Sequence, residues 1–330
     1  MSDPIKVGFY VRNAFQVSHL RPLFRETPGA TWLLSSARDA EAFGIHNELF
    51  VAKRILMRRL MAQYDLIVAH GGPPRGKPLA DTPFVMVQYG YAKEPYNFGD
   101  WRAQADAICA YGDYAVERFS KHAPSFAIGN PLMDDWQRPG FTDEARAVLP
   151  ALDANRPVLL YAPTWGELSS LPAWGASVMQ LADHYTVLIK AHHNSVRDGQ
   201  MREVASHPRV HDVSAYDLMQ ALAVSDVLLS DYSGAIFDAI MRDRPVVLLD
   251  VPEIETQFGK KLDGQSLEMA QRDALGLRAD DPAELAGVVQ AALDQGPQVD
   301  PALQEALFAN PTSVAQAFLD LLPQIIASKG

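Results

Sequence analysis

The segment Ser230-Asp231-Tyr232-Ser233-Gly234-Ala235-Ile236-Phe237-Asp238 follows the apolar run Val227-Leu228-Leu229 and leads into a helical pattern as far as Met241. A strand that ends in small hydroxyl residues and a glycine, then becomes a helix, leaves backbone N–H groups unpaired and aimed outward. With the positive end of the helix dipole, those donors suit a phosphate. Ser230, Ser233 and Gly234 are small enough to let an anion reach the backbone, and the serines add hydroxyl donors. A plain capped helix start is the alternative, since Ser and Asp are ordinary N-cap residues.

Other strand ends carry related chemistry. After Val158–Ala162 come Pro163, Thr164 and Trp165, which offer a fixed backbone, a hydroxyl and a broad apolar face. A tight turn around a buried Trp165 is the alternative. After Thr186–Lys190 come His192, His193 and, close behind, Arg197; Lys190, His192 and Arg197 are set to meet a diphosphate. Adjacent histidines on an extended chain point to opposite sides and lack a carboxylate or cysteine at ligand spacing, so no metal site is expected there. In the first half, Asp65–Ala69 leads to His70-Gly71-Gly72, and Phe84–Gln88 leads to Tyr89-Gly90-Tyr91-Ala92-Lys93. His70 is a candidate general base or a histidine satisfied by its own loop. Tyr89, Gly90, Tyr91 and Lys93 make the candidate acceptor side. Asp134, in the turn Gly129-Asn130-Pro131-Leu132-Met133-Asp134, is read as a helix cap, a solvated carboxylate or a ligand for a hydroxyl.

These residues need a scaffold that gathers strand ends. Apolar runs at Val7–Val11, Thr31–Leu34, Asp65–Ala69, Phe84–Gln88, Ala107–Ala110 and Phe126–Ile128 alternate with helical patterns near 15–25, 37–44, 47–63 and 113–121. A second series has strands at Val158–Ala162, Thr186–Lys190, Val210–Asp212, Val227–Ser230 and Val246–Asp250. Its helices fall near 174–183, 198–206, 215–224, 234–242, 282–294 and 312–327. Such alternation predicts parallel α/β sheets with ligands at the carboxyl ends of the strands. The expected architecture is two Rossmann-like domains, 1–138 and 139–330, facing a central cleft, with the last helix free to pack back on the first domain.

Composition narrows the function. The 330 residues carry a formal net charge of -11, which argues against nucleic acid as a partner. The single cysteine, Cys109, allows no internal disulfide and suits a reducing compartment. The start reads as a first strand rather than a signal peptide, so a cytoplasmic protein is expected. The basic stretch Lys53–Met61 has apolar residues at helical spacing and suits either a solvated helix or the anionic inner face of a membrane. No G-x-G-x-x-G follows the first strand, Gly76-Lys77 runs into Pro78 rather than a P-loop, and no G-x-S-x-G elbow occurs.

Four pieces occur in one order: Gly129-Asn130-Pro131 with Asp134, Tyr161-Ala162-Pro163-Thr164-Trp165, Lys190 with His192, and Ser230–Asp238 followed by Arg244-Pro245. Together they resemble the CDP-glycerol glycerophosphotransferase family, whose members include teichoic acid primases and polymerases. The resemblance is strongest over 158–250. It implies the glycosyltransferase type B fold, with Thr164, Lys190, His192, Ser230, Asp231, Ser233 and Gly234 around the donor diphosphate. It departs from the family pattern at Tyr89, where the family has a histidine proposed as the base, and at His193, where it has proline. Either His70 has taken over the base's role, or the chemistry or acceptor differs.

The resulting expectation is transfer of glycerol phosphate, or a related alditol phosphate, from a CDP-linked donor to a hydroxyl of a cell-surface glycan or lipid. His70 and His192 are the catalytic candidates. No cofactor beyond the substrate nucleotide is expected. The rivals are a UDP- or GDP-sugar transferase or epimerase on the same fold, and a nucleotide-binding protein without turnover.

Overall fold

The computed structural model describes residues 5–45, 49–197, 207–259, 262–309 and 312–329. The chain divides into two compact units. The first holds residues 1–89, 98–137 and 305–330; the second holds 90–97 and 138–304.

The first unit is built on seven parallel strands: β1 (Val7–Tyr10), β2 (Thr31–Leu34), β3 (Leu49–Val51), β4 (Leu66–Ala69), β5 (Phe84–Val87), β6 (Ala107–Ala110) and β7 (Ser125–Ala127). Their order is β3-β2-β1-β4-β5-β6-β7. Strands β1, β4, β5 and β6 are buried throughout, as expected where helices cover both faces of a parallel sheet. The helix Ala14–Glu26 buries Val17, Leu20 and Leu23 in this core. The helix Val314–Ala327 returns to the same core through Val314, Ala315, Phe318, Leu322 and Ile325. Asp134 fixes that helix start: its carboxylate accepts from the N–H groups of Val314 and Ala315, both at 2.8 Å. The carboxylate thus caps a helix 180 positions away in sequence.

One predicted element changes type here. The helix expected over 47–63 is an edge strand, β3, followed by a shorter helix, Arg54–Met61. Residues 49–51 pair with Trp32–Leu34 of β2. Pairing with an existing sheet edge outweighs helical spacing in so short a run.

The second unit carries six parallel strands: β8 (Val158–Tyr161), β9 (Thr186–Ile189), β10 (Val210–Asp212), β11 (Val227–Ser230), β12 (Val246–Leu249) and β13 (Leu277–Ala279). Their order is β10-β9-β8-β11-β12-β13. The three-residue β13 has no strand prediction; it joins the sheet through Val247–Leu249. The helix expected over 198–206 lies outside the described residues. The chain runs from β8 outward to β10 on one side, then crosses back to β11 and proceeds the other way, so the switch point falls between β8 and β11. Loops leaving those two strands diverge and open a crevice at their carboxyl ends. Register makes this concrete: Tyr161 lies opposite both Ile189 and Leu229. Residues 162, 190 and 230 therefore leave the sheet at one level. No helix among the described residues is long and apolar enough to cross a membrane.

Candidate functional site

The centre of the second unit's strand-end site is a carboxylate. Asp231 is fully buried, and its oxygens accept from Thr164 N–H at 2.9 and 3.1 Å, Ser170 N–H at 2.8 Å, Ser170 Oγ at 2.9 Å and Tyr232 N–H at 2.7 Å. Burial pushes its pKa up, while those donors oppose the shift. Every neighbour is a donor, so the ionised form fits the geometry. Ser230 is equally buried and donates its hydroxyl to Ala162 O at 2.6 Å. Direct side-chain contact of Ser230 and Asp231 with phosphate, as expected from their small size and position, does not fit these contacts. Both side chains instead lock the loop after β8 to the end of β11.

That lock leaves other groups at the rim. Thr164, 2% exposed, has its backbone held by Asp231, and its hydroxyl accepts from the Lys93 ammonium. Lys190 is half-buried at the end of β9, and its ammonium donates to Ser214 O at 2.8 Å. Burial lowers its pKa, and the nearby Asp217 and Asp212 charges oppose that. His192 stacks on Trp165, with ring centroids 5.6 Å apart and planes 25° from parallel. Its Nδ1 accepts the Asn194 N–H at 3.2 Å, so the neutral ring carries its proton on Nε2 and can donate it. Trp165 is thus a half-exposed platform for His192 rather than a core residue. Arg197 is exposed at the end of the five-residue helix His193–Arg197.

The segment 230–238 has the predicted shape. The helix Ala235–Ile240 starts at Gly234, where an added Cβ would meet open space. Ser233 Oγ accepts from Ala235 N–H at 3.3 Å. The N–H groups of Ser233 and Gly234 have no partner among the described residues. Two backbone donors and a partly exposed serine therefore stand beside Thr164's strand, as an anion site requires. Asp238 lies one turn into the helix, where burial raises its carboxyl to about 6 and Arg242 opposes the shift. It braces Arg242, whose Nη1 lies 3.8 Å from the carboxylate.

The group expected on the acceptor side separates. Tyr89 belongs to the first unit, and Gly90–Asn97 to the second. Tyr91 is fully buried against Phe237, with centroids at 5.5 Å, so its ring is core and not an acceptor contact. A Cβ added at Gly90 would meet open space. Lys93 extends its ammonium to Thr164 Oγ1 at 3.1 Å, at the loop after β8. The sequence offers no sign of this, because 71 residues separate the pair. Ser170, Ser214 and Glu268 were missed for the same reason.

In the first unit, the order β3-β2-β1-β4 puts the switch point between β1 and β4, whose loops hold Arg12 and His70. Arg12 Nη2 donates to Gly72 O at 2.6 Å and ties the two loops. His70 is 4% exposed; its Nδ1 lies 3.0 Å from Val87 O and must be the protonated nitrogen, since a carbonyl only accepts. Its Nε2 lone pair has no hydrogen-bond partner among the described residues. Desolvation, with His19 and Arg102 adding repulsion, lowers its pKa to about 3. His70 is therefore satisfied by backbone at Nδ1, while its Nε2 is buried without a partner among the described residues. Around it stand Tyr89 at 5.9 Å and His19 at 5.6 Å between centroids, with Phe15 at 4.9 Å from Tyr89.

A cavity of about 380 Å³ in the second unit is lined by Tyr232, Asp250, Glu253, Met269, Arg272 and Arg278 among others, and by none of Thr164, Lys190, His192 or Ser233. Its arginines are held by carboxylates: Arg272 by Asp250, and Arg278 by Asp250 and Asp273. It offers little to a diphosphate. No group of three His, Cys, Asp or Glu among the described residues could hold a metal ion.

The chain is similar to known proteins in sequence and in fold. It is 26% identical over 126 residues to the teichoic acid glycerol-phosphate primase of Bacillus subtilis (strain 168), covering 36% of this chain and 32% of that protein. It is 30% identical over 118 residues to the teichoic acid poly(glycerol phosphate) polymerase of the same strain, covering 32% of this chain and 15% of that protein. The matched region thus spans about a third and about a seventh of these relatives. The structure of the wall teichoic acid polymerase TagF superposes with a TM-score of 0.73 at 17% identity, over 100% of this chain and 90% of that one. A UDP-GlcNAc 2-epimerase from Neisseria meningitidis superposes with a TM-score of 0.62 at 15% identity, over 98% of this chain and 100% of that one. At such identities the likeness is one of fold, the paired parallel α/β units of glycosyltransferase type B proteins. The model of the CDP-glycerol:poly(glycerophosphate) glycerophosphotransferase family matches residues 114–306, more than half of the chain and including the loops after β8, β9 and β11, and the chain belongs to that family.

Proposed function

We propose that the second unit binds CDP-glycerol, or a related CDP-alditol, and that the chain transfers glycerol phosphate to a hydroxyl of a cell-surface glycan or lipid acceptor. The carrying observation is the level set of strand ends: Thr164 after β8, Lys190 and His192 after β9, and the open N–H groups of Ser233 and Gly234 after β11. These offer a diphosphate a cation, a hydroxyl, an imidazole N–H and two backbone donors, while Arg197 is placed for looser, solvent-screened contact. The acceptor oxygen attacks the β-phosphorus, the bond to the bridging oxygen breaks, and CMP leaves with the electron pair. Donors fixed before the reaction stabilise the charge that develops on the leaving phosphate. The family resemblance and the relatives' names support the glycerol-phosphate assignment. The acceptor-side candidates His70 and Tyr89 belong to the first unit. A phosphoryl transition state with a loose bond to the nucleophile asks little of a base until late.

The test is CMP release from CDP-glycerol with a hydroxyl acceptor. Lys190→Ala should lower kcat/KM by about 10²-fold, the size of effect seen when one preorganised donor is removed. A thermal-shift panel of CDP-glycerol, CMP, UDP-sugars and GDP-sugars sets the donor class. Stabilisation by UDP-sugars alone would overturn the CDP assignment.

Contact with a membrane surface is part of the same reading. Phe50, Val51, Ile55 and Leu56 are all exposed on β3 and the helix after it, beside exposed Lys53 and Arg59. In a chain of net charge -11, this local pairing of apolar and cationic groups suits an anionic lipid interface. Sedimentation with phosphatidylglycerol vesicles should weaken at least about tenfold in a Phe50→Ser, Ile55→Ser double variant, which loses roughly two buried apolar side chains. Equal binding by both proteins would rule this surface out.

A further inference from the structure

The loop after β5 brings a lysine to the donor side under unusual constraint. Lys93 has φ of +62°, a left-handed conformation that costs a non-glycine residue roughly 1 kcal/mol or more and persists only where surroundings enforce it. The enforcement is a reciprocal clasp within the second unit. The fully buried Glu268 accepts the Lys93 N–H through Oε1 at 2.6 Å, and Glu94 Oε1 accepts the Leu267 N–H at 2.8 Å. Two carboxylates thus tie residues 93–94 to residues 267–268. The half-buried side chain then runs to Thr164, whose hydroxyl accepts from the ammonium at 3.1 Å and keeps its own hydrogen for another oxygen. Thr164 is itself pinned by Asp231. A strained backbone, a buried acid that fixes it, and a cation delivered to the first hydroxyl of the diphosphate site form one chain of contacts.

We propose that Lys93 and Thr164 form a second anion subsite beside Lys190, in which the Lys93 ammonium binds the donor's diphosphate, with Glu268 as the residue that positions it. This rests on the donor reading above. A nucleoside diphosphate ester carries about two negative charges, and breaking it puts further charge on the leaving phosphate. Lys190 supplies one cation, and its ammonium also serves Ser214 O. Lys93 supplies the second, preorganised so that little side-chain entropy is lost on binding. Glu268 does not touch the ligand. Its carboxyl is pushed up to about 7 by burial, and either protonation state retains a lone pair for the Lys93 N–H.

Calorimetric titration of the purified 330-residue chain with CDP, inorganic pyrophosphate and cytidine separates the roles. Lys93→Met should weaken CDP and pyrophosphate about 10- to 100-fold, as expected for loss of a charge-assisted contact, and leave cytidine within about twofold. Lys93→Arg, which keeps the charge, should hold CDP affinity within about fivefold. Glu268→Leu should reproduce part of the Lys93→Met loss, and Glu268→Gln, whose amide oxygen still accepts the N–H, should restore it. Equal weakening of all three probes by Lys93→Met would mean a structural role only and would overturn the subsite. Wild-type protein that binds pyrophosphate through Lys93 yet ignores CDP-glycerol keeps the subsite and removes glycerol phosphate transfer. Wild-type protein that binds CDP-glycerol, with Lys93→Met binding it equally, removes the subsite and keeps transfer. Binding of none of these ligands by wild-type protein overturns both.

Discussion

Asp231→Ala is expected to destabilise the second unit by about 4 kcal/mol and to abolish measurable turnover. The substitution leaves three backbone N–H groups and the Ser170 hydroxyl without their acceptor in a fully buried place. Each orphaned buried donor costs about 1–3 kcal/mol, and the total is less than additive because the loops relax together. Relaxation is what ends catalysis. Thr164 is placed by this carboxylate, and a shift of about 1 Å in a reacting geometry costs on the order of 10²-fold. Asp231→Asn keeps the shape but turns one acceptor into a donor facing donors, so it should fall between wild type and Asp231→Ala. Urea unfolding and CDP-dependent thermal shift measure both effects. A loss below about 1 kcal/mol for Asp231→Ala would show that the carboxylate does not organise the site.

Acid is expected to weaken the first unit through His70. Its pKa is about 3 in the folded protein, against 6.5 for the free side chain. Between those values the unfolded chain binds a proton that the folded chain does not, so stability increases as pH rises from 3 to 6.5 and is lost as pH falls. The shift of about 3.5 units corresponds to an upper value of roughly 5 kcal/mol at the acid end. Over the experimentally easier interval from pH 7 to pH 4.5, His70 alone should account for about 2.5 kcal/mol. His70→Gln, which retains a donor for Val87 O, should flatten that part of the profile. A parallel acid profile for the variant would show that His70 is not buried as the structure has it. The same depression bears on mechanism: His70 stays neutral throughout the physiological range, so it should contribute no inflection near 6.5 to kcat/KM.

Much of the scaffold was legible in the chain. Residues 158–161, 187–189, 227–229 and 246–249 are unbroken runs of apolar and aromatic residues because a parallel sheet covered on both faces exposes no side for polar residues. The turn of 230–238 into a helix was legible too, since strand, small residues and helix signals are all local. Leu49–Val51 was not, because an edge strand of three residues is stabilised by its neighbour rather than by its own pattern. Asp134 left three readings open, and only the distant start of the helix Val314–Ala327 chose the cap.

The division runs through the site itself. Residue types and order alone determined the parallel α/β character, the strand-to-helix turn at 230–238 and the family. Tertiary structure decided where the side chains go: Ser230 and Asp231 turn inward, Tyr91 becomes core, and Lys93 crosses to Thr164. Those assignments depend on contacts between residues about 70 to 175 positions apart. Local propensity and periodicity report only on a residue's own turn or strand. Direction and pairing are fixed when separate loops meet at the carboxyl ends of the strands, where burying a carboxylate without donors would cost more than the fold can spare.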